Sequence, residues 1–333
     1  MEVEIIEGNP LPEKLLPVWD GLLSQSRFRN PFLTPLWNQL WLRHFGESLA
    51  VKAFLLRTSQ GDPLALGVFF NSMEKEGSNR LTLLGAGDVW DYRDLILPAE
   101  EEEKALGALA GYWAEGPWGE VEFHGISEFS PTLRFLPALL RSCGFEVTEA
   151  VEEVSVFLDL PRTWDDFLAR LDSKDRHELR RKMRRLEREA AFEIVEGQGK
   201  NLDEKIDIFL ALHRKSRKDK AEFMTPEMEA YFREIARRFE EKEWLSLPFL
   251  RVEGKEIGAY FSFRYEGVEY VYNSGYDPEY GRLSPGIVLA ATCIRRAIER
   301  GTTVFHFLRG KEDYKYRLGG REEKIYRIKA VRT

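Results

Sequence analysis

The sequence predicts an α/β fold of mixed, mostly antiparallel sheets flanked by helices, arranged as two tandem copies of one unit. Length is the first reason, because 333 residues exceed what a single hydrophobic core organises. The second is that short alternating apolar runs bounded by turn residues occur in both halves, beside stretches with a helical apolar period. The third is an internal echo. Gly258, Ala259, Tyr260, Phe261 and Phe263 answer Gly67, Val68, Phe69 and Phe70. Likewise YNSGYDPEY answers LGAGDVWDY, and VFHFLRG at 304–310 answers VEFHGI at 121–126. Similar elements in one order point to a duplication, with chance likeness of strand-and-helix patterns as the competing explanation.

From the amino terminus, residues 3–6 form a short apolar strand, and Leu15, Leu16, Trp19, Leu22 and Leu23 form one face of a helix. Thr34 caps a second helix with Pro35 at its first position, Leu36, Trp37, Leu40, Trp41 and Phe45 supply its buried face, and Gly46 ends it. Runs at 51–57 and 64–71, joined by Gln60, Gly61, Asp62 and Pro63, read as an antiparallel hairpin. A strand at 81–84 leads into GAGDVWDYRD and a helix over 100–115. In the second half, Ile206, Phe209 and Leu210 mark a helix whose apolar side also carries His213, a position that suits a buried histidine better than a base. Thr225 and Pro226 start the next helix, which buries Met228, Phe232, Ile235 and Phe239. Runs at 245–252, 257–264 and 268–273, with turns at Glu253-Gly254 and Glu266-Gly267, form a meander. A last strand spans 324–331. The resulting division is 1–150, 151–320, and a terminal strand in 321–333.

Composition narrows the function classes. With 43% hydrophobic and 32% charged residues, no run of 18 apolar residues and no charged-then-apolar leader, the chain reads as soluble and cytoplasmic, without a membrane span. Cys143 and Cys293 both sit on apolar helix patterns and read as buried thiols; neither has metal-site or disulfide spacing, so no metal is expected. Counting 49 Lys and Arg against 56 Asp and Glu gives a net charge of −7, which argues against nucleic acid as a whole-surface partner and leaves room for a local basic patch.

The stretch at 270–301 carries the chemistry. Ser284 is placed to cap a helix, Pro285 lacks only a donor the helix would not use, and Gly286 leaves the backbone bare. Ile287, Ala290, Ala291, Ile294 and Ile298 fall on one face, and Gly301 stops the helix. Free N–H groups at its start, the positive end of the helix dipole and Arg282 together make a seat for phosphate. An ordinary capped helix after a turn is the alternative. The corresponding helix in the first half opens with Glu100, Glu101, Glu102 and Glu103, whose charge would repel a pyrophosphate. Between the copies, SKDRHELRRKMRRLER at 173–188 is strongly basic with a narrow apolar stripe of Leu179, Met183, Leu186 and Ala190. It reads either as a solvated surface helix or as a surface for an anionic partner such as nucleotide phosphates or tRNA.

Four segments in order, SKDRHELRRKMRRLE, FLALHRKSR, SGYDPEYGRLSPGIVLAATCIRRAIERG and FHFLRGKEDYKYRLGG, resemble the CelD/BcsL-type acetyltransferases of the GNAT superfamily and, more distantly, the FemAB/FemX aminoacyltransferases. The likeness covers most of residues 30–320. It implies tandem GNAT folds with substrate in the cleft between them and, as in FemX-like proteins, a last strand that returns to the first domain. It also implies acetyl-CoA or another acyl-CoA as co-substrate, with Asn273, Ser274 and Gly275 lining the thioester end and Arg282, Leu283, Ser284 and Gly286 holding the phosphates. Pro285 departs from the superfamily's glycine-richer loop. Lys315 matches a lysine that FemX-like proteins place at the phosphate-rich centre of their reaction.

Under that likeness the chemistry needs a proton acceptor for the nucleophile, an oxyanion stabiliser and a proton donor to the thiolate. Lys315 is assigned to the charge, Tyr314 or Tyr316 to the thiolate, and Asp91 or His306 to the nucleophile's proton. Lys174, Arg176, Tyr92, Tyr276, Arg309 and Arg317 are assigned to the acceptor. Packing tyrosines and a buried His306 are the plain alternatives. Three functions compete: acyl transfer from acyl-CoA to a small-molecule or glycan acceptor such as a sugar or cell-envelope precursor, aminoacyl transfer from charged tRNA, and non-catalytic glycan binding or assembly.

Overall fold

The duplicated order of elements recurs in a computed structural model of the protein, in which residues 1–73, 79–85 and 89–333 are described, without the side chains of Ser72 and Met73. Residues 86–88 of the GAGDVWDY motif lie outside the described residues. The chain divides into two compact units, Met1–Val154 with Glu323–Thr333, and Ser155–Glu322.

In unit 1, β1 (Glu2–Glu7), α1 (Leu16–Gln25) and α2 (Pro35–Phe45) precede the hairpin of β2 (Ala50–Arg57) and β3 (Pro63–Met73). As expected, the Thr34 hydroxyl accepts the Trp37 amide at 3.2 Å and Pro35 begins α2. Antiparallel β4 (Asn79–Leu83) follows β3, α3 (Glu102–Glu115) crosses over, and β5 (Glu120–Ser127) pairs parallel with β4. The parallel ladder holds three residue pairs, ending at Thr82 and Glu122. Next come α4 (Pro131–Ser142) and β6 (Phe145–Asp159), whose residues from Ser155 onward belong to unit 2. Phe54, Phe69, Trp113 and Phe123 meet edge-on or tilted in a core shared by the sheet, α3 and α4.

Unit 2 repeats that plan after α5 (Trp164–Arg170) and the basic α6 (Ser173–Glu189). Strand β7 (Phe192–Glu196) is followed by α7 (Leu202–Ser216), α8 (Lys218–Phe223) and α9 (Pro226–Glu241), then by the two-residue β8 (Leu245–Ser246) and β9 (Pro248–Val252). Strands β10 (Lys255–Tyr265) and β11 (Val268–Tyr276) complete the meander. Glu253-Gly254 and Glu266-Gly267 all have positive φ, the geometry of tight hairpin turns that matches strand twist. Helix α10 (Pro285–Glu299) crosses over to β12 (Val304–Arg309), which pairs parallel with β11, and α11 (Asp313–Arg317) ends the unit. Leu250, Tyr260 and Val271 pack under α5, α6 and α10. On the other face Phe261, Phe263 and Tyr272 meet Phe209, Phe232 and Phe239 of α7 and α9, Tyr272 stacked on Phe232 and the other pairs tilted or edge-on. Leu179 and Leu186 of α6 are buried, as its apolar stripe predicts, with Met183 and Ala190 packed beside them.

The last strand, β13 (Arg321–Arg332), runs antiparallel to β5, so residues from Glu323 onward belong to unit 1. Two expectations need correction. Cys143 is only half-buried, at the position after the last residue of α4, where it packs against the edge of the core; Cys293 is buried. Ser284 does stand at the start of α10, but in the left-handed conformation at φ 54°, and its hydroxyl caps no amide.

Candidate active site

The parallel ladder between β11 and β12 ends at Tyr270 and His306, and from Val271 to Tyr276 β11 runs on paired with β10 on its other side. Two irregularities open this fork. A bulge in the β10–β11 ladder inserts Tyr272 as the extra residue, and β12 kinks at Leu308, which has φ 58°. Cross-strand partners share a face. Ser274, paired with Tyr260, therefore points to the α10 side, whereas Asn273 meets α7 through His213 Nε2 at 2.8 Å.

Above the fork lies a cavity of about 350 Å³ lined by Tyr260, Ser274, Gly275, Tyr276, Gly281, Ser284, Pro285, Gly286, Ile287, Leu289 and Tyr314. The segment from β11 to α10 is pinned by Asp277, buried at 1% exposure, whose carboxylate accepts the Glu279 amide and ion-pairs with Lys215 and Lys255. Burial alone would raise the Asp277 pKa; the Lys215 and Lys255 bonds outweigh it and hold the carboxyl below its usual range. At the start of α10 the Ile287 and Val288 amides both bond to the Ser284 carbonyl. The bare rim is thus narrower than the sequence implies. The Gly286 amide has no partner among the described residues, and a Cβ at Gly281 or Gly286 would meet nothing within 4 Å. One backbone donor at a helix start, beside two open glycines, suits an anionic group.

Gly275 serves a different purpose. A Cβ there would lie 2.4 Å from the His213 amide nitrogen, so glycine is what lets α7 close onto β11. Burial, then the nearby Lys220 charge, pushes the His213 imidazole down to about 4, which keeps it neutral with its Nε2–H on Asn273. Leu283 is buried, while Arg282 is exposed, 3.4 Å from Glu189, with its carbonyl accepting from Arg185 of α6 at 3.0 Å. The basic helix thus runs beside the start of α10. A second hollow of about 210 Å³, between α6, α10 and α11, shares Ile287 and Tyr314 with the first and adds Asp175, Glu178, Lys182, Asp313 and Arg317.

The remaining sequence candidates are dispersed. Lys315 is 3% exposed and its ammonium reaches the carbonyls of Leu308, Arg309 and Gly310 at 3.2, 2.6 and 3.1 Å and the Glu312 carboxylate at 3.0 Å. In this arrangement it secures the turn after β12. Tyr314 lines both cavities beside Tyr260, and burial followed by the Glu312 charge raises its phenol pKa, so it stays protonated. Tyr316 points its hydroxyl at Glu322, 2.7 Å away; desolvation and then that bond push its pKa up to about 12. His306 is stacked between Phe157 and Tyr270, and its Nδ1 accepts the Leu308 amide at 3.0 Å.

Among the acceptor candidates, Tyr276 is at the cavity rim and Arg317 at the second hollow. Arg309 is half-buried and Lys174 exposed. Arg176 donates to the Leu171 carbonyl at 3.1 Å and so ties α6 to α5. Asp91 and Tyr92 belong to unit 1, where Tyr92 is buried with its hydroxyl 2.6 Å from Glu323. Tyr260 and Lys220 border the site without having been singled out in the sequence. Tyr260 looks like any strand aromatic, and Lys220 sits in a charged run, 54 positions before the residue it touches.

Unit 1 has the same fork with different contents. The Arg93 amide donates to the Gly125 carbonyl, Ile96 bridges Leu66, and the space left beside Trp90, Arg93 and Asp94 is about 20 Å³. At the start of α3, Glu100 and Glu102 ion-pair with Arg27.

Residues 173–316, all within unit 2, match the family model described as an acetyltransferase (GNAT) domain. No curated protein matches the sequence. Among solved structures the chain is similar to FemX, with a TM-score of 0.68 at 10% identity over 98% of this chain and 97% of that one. It is also similar to a tandem GNAT protein from the clavulanic acid biosynthesis pathway, with a TM-score of 0.53 at 10% identity over 98% of both chains. A third is the C-terminal domain of a putative lysylphosphatidylglycerol synthetase from Agrobacterium fabrum, with a TM-score of 0.54 at 12% identity over 96% and 92%. The fold is therefore the tandem GNAT-like α/β arrangement. Among the described residues no helix is long and apolar enough to cross a membrane, and no group of metal-ligating side chains gathers.

Proposed function

We propose that the protein is a CelD/BcsL-type acyltransferase that uses acetyl-CoA or another acyl-CoA, held by unit 2, to acylate an amine or hydroxyl of a sugar, polysaccharide or cell-envelope precursor. The observation that carries the reading is the open fork of β11 and β12 under the bare start of α10, whose counterpart in unit 1 is filled among the described residues. The co-substrate fits the residues present: an unpaired Gly286 amide for an anionic group, apolar Ile287 and Leu289 for an alkyl chain, and the fork for the thioester. When bound, acyl-CoA supplies an activated carbonyl. In this reading the chain contributes orientation along β11 and a phenol, Tyr314, that lines the cavity, is kept protonated and hands its proton to the leaving sulfur. Lys315, already committed to three carbonyls, acts at one remove by fixing the turn that carries Tyr314.

Calorimetric titration with acetyl-CoA, followed by thiol release in the presence of amino-sugar acceptors, tests the reading. Saturable binding and acceptor-dependent thiol release are predicted; neither occurring would contradict it. The FemX-like fold and the exposed Arg180, Arg184 and Arg188 of α6 favour a second reading, aminoacyl transfer from tRNA. That reading predicts tRNA binding that falls steeply with salt, without acetyl-CoA affinity.

A further inference from the structure

Beyond Tyr270, β11 has lost its β12 partner, and the edge at Ser274 is taken by a side chain from the six-residue helix α8. Lys220 donates from Nζ to the Ser274 carbonyl and to its Oγ, the latter at 3.2 Å. Lysines withdrawn from water normally pair with a carboxylate. Here the nearest carboxylates have other partners. Asp219 is bound by Arg217 and Glu312 by Lys315, and among the described residues Lys220 itself has no ion pair. A half-buried ammonium held only by the carbonyl and hydroxyl of a residue that lines the cavity is costly as a structural device and suited to gaining and losing a proton.

We propose that Ser274 and Lys220 form a proton relay at the thioester end of the cavity, which receives the proton released by the attacking acceptor. The proposal rests on the acyl-transfer reading of this site. As the acceptor nitrogen or oxygen bonds to the acyl carbon, its proton passes to Ser274 Oγ, and the hydroxyl's own proton passes to the neutral Lys220 amine. The C–S bond breaks, and the sulfur takes the Tyr314 proton. Lys220 then returns its proton to solvent, from which Tyr314 is reprotonated. The charges facing Lys220 are Arg217 and Asp219 from its own segment, Glu312 and Lys315 from the turn after β12, and neutral His213 from α7. Burial first, then Arg217, brings the lysine down to about 8, so a useful fraction is neutral near neutrality.

The test follows thiol release from acetyl-CoA with amino-sugar acceptors from about pH 6 to about pH 10, with acetyl-CoA binding measured in parallel. Wild-type kcat/KM is expected to rise through an apparent pKa near 8. Lys220→Arg, which cannot release its proton, is expected to lose that limb and about 10²-fold or more of kcat, with acetyl-CoA affinity kept within about threefold. Ser274→Ala removes the hydroxyl but leaves the carbonyl bond to Lys220, and is expected to lose kcat in the same way. It decides the matter alone if Lys220→Arg does not fold. A folded variant of either kind that keeps the wild-type limb and rate overturns the relay while sparing the acyl-transfer reading. A wild-type protein that releases no thiol overturns both.

Discussion

His213 has a calculable consequence at the scale of one residue. Its imidazole titrates near 4 in the folded protein against 6.5 as a free group, because burial and then Lys220 disfavour the charged form. Between those values the unfolded chain binds more protons, so its contribution is complete above pH 6.5 and is lost as pH falls toward 4. The loss at pH 5 is about 2 kcal/mol. Urea unfolding of wild type and His213→Gln at pH 7.5 and pH 5 checks it: the wild type should lose about 2 kcal/mol more than the variant, and equal losses would contradict the account. At this scale the sequence is legible for burial and poor for partners. His213 reads as buried from its helical position, whereas its bond to Asn273 spans 60 residues and follows from the bulge at Tyr272. Lys315 illustrates the same limit. Its residue type suggests charge chemistry, but the turn after β12 surrounds it with carbonyls that no spacing rule foretells.

Helix starts separate what local sequence controls from what the fold imposes. Thr34 and Thr225 precede a proline and cap the amides of Trp37 and Met228 as their sequences predict, because each sits in extended backbone. Ser284 precedes a proline too, yet the 3-10 turn Pro278–Leu283 delivers it in the left-handed region, where its hydroxyl cannot reach back. The residue therefore bears conformational strain without the return of a cap. Ser284→Gly should be neutral or stabilising by up to about 1 kcal/mol, while a capping serine would lose stability on that change. Thermal unfolding distinguishes the two, and a loss of about 0.3 kcal/mol or more would restore the capping role. The contrast between α3 and α10 was readable from charge alone. The filling of the unit 1 fork by Arg93 and Ile96 was not, since it depends on a loop folding back onto Gly125 and Leu66.

Across the whole molecule, one chain builds two versions of a unit and returns its end to the first. Strand β13 contributes Ile325, Ile328 and Ala330 to the interior of unit 1, together with Glu323, which accepts from Tyr92 and Ser127. Deleting residues after Gly320 leaves β5 without that neighbour and removes two buried isoleucines, each worth about 2–5 kcal/mol, a sum of the same order as the whole stability of a typical domain. Six of the eight tryptophans lie in unit 1, so fluorescence reports on it; the truncated chain should lose the folded emission, and a native-like spectrum would contradict the account. The order of strands was legible because hairpin turns and crossover helices are local signals. The exact boundaries, at Val154 and Glu323, depend on distant contacts. The central claim is that only the second copy holds the acyl donor, at the bare start of α10. Calorimetry with acetyl-CoA on wild type and on Gly286→Glu, at a position where an added Cβ meets no atom within 4 Å, tests it most directly. The account predicts one site per chain in the wild type and none in the variant; no binding to the wild type, or undiminished binding to Gly286→Glu, would contradict it.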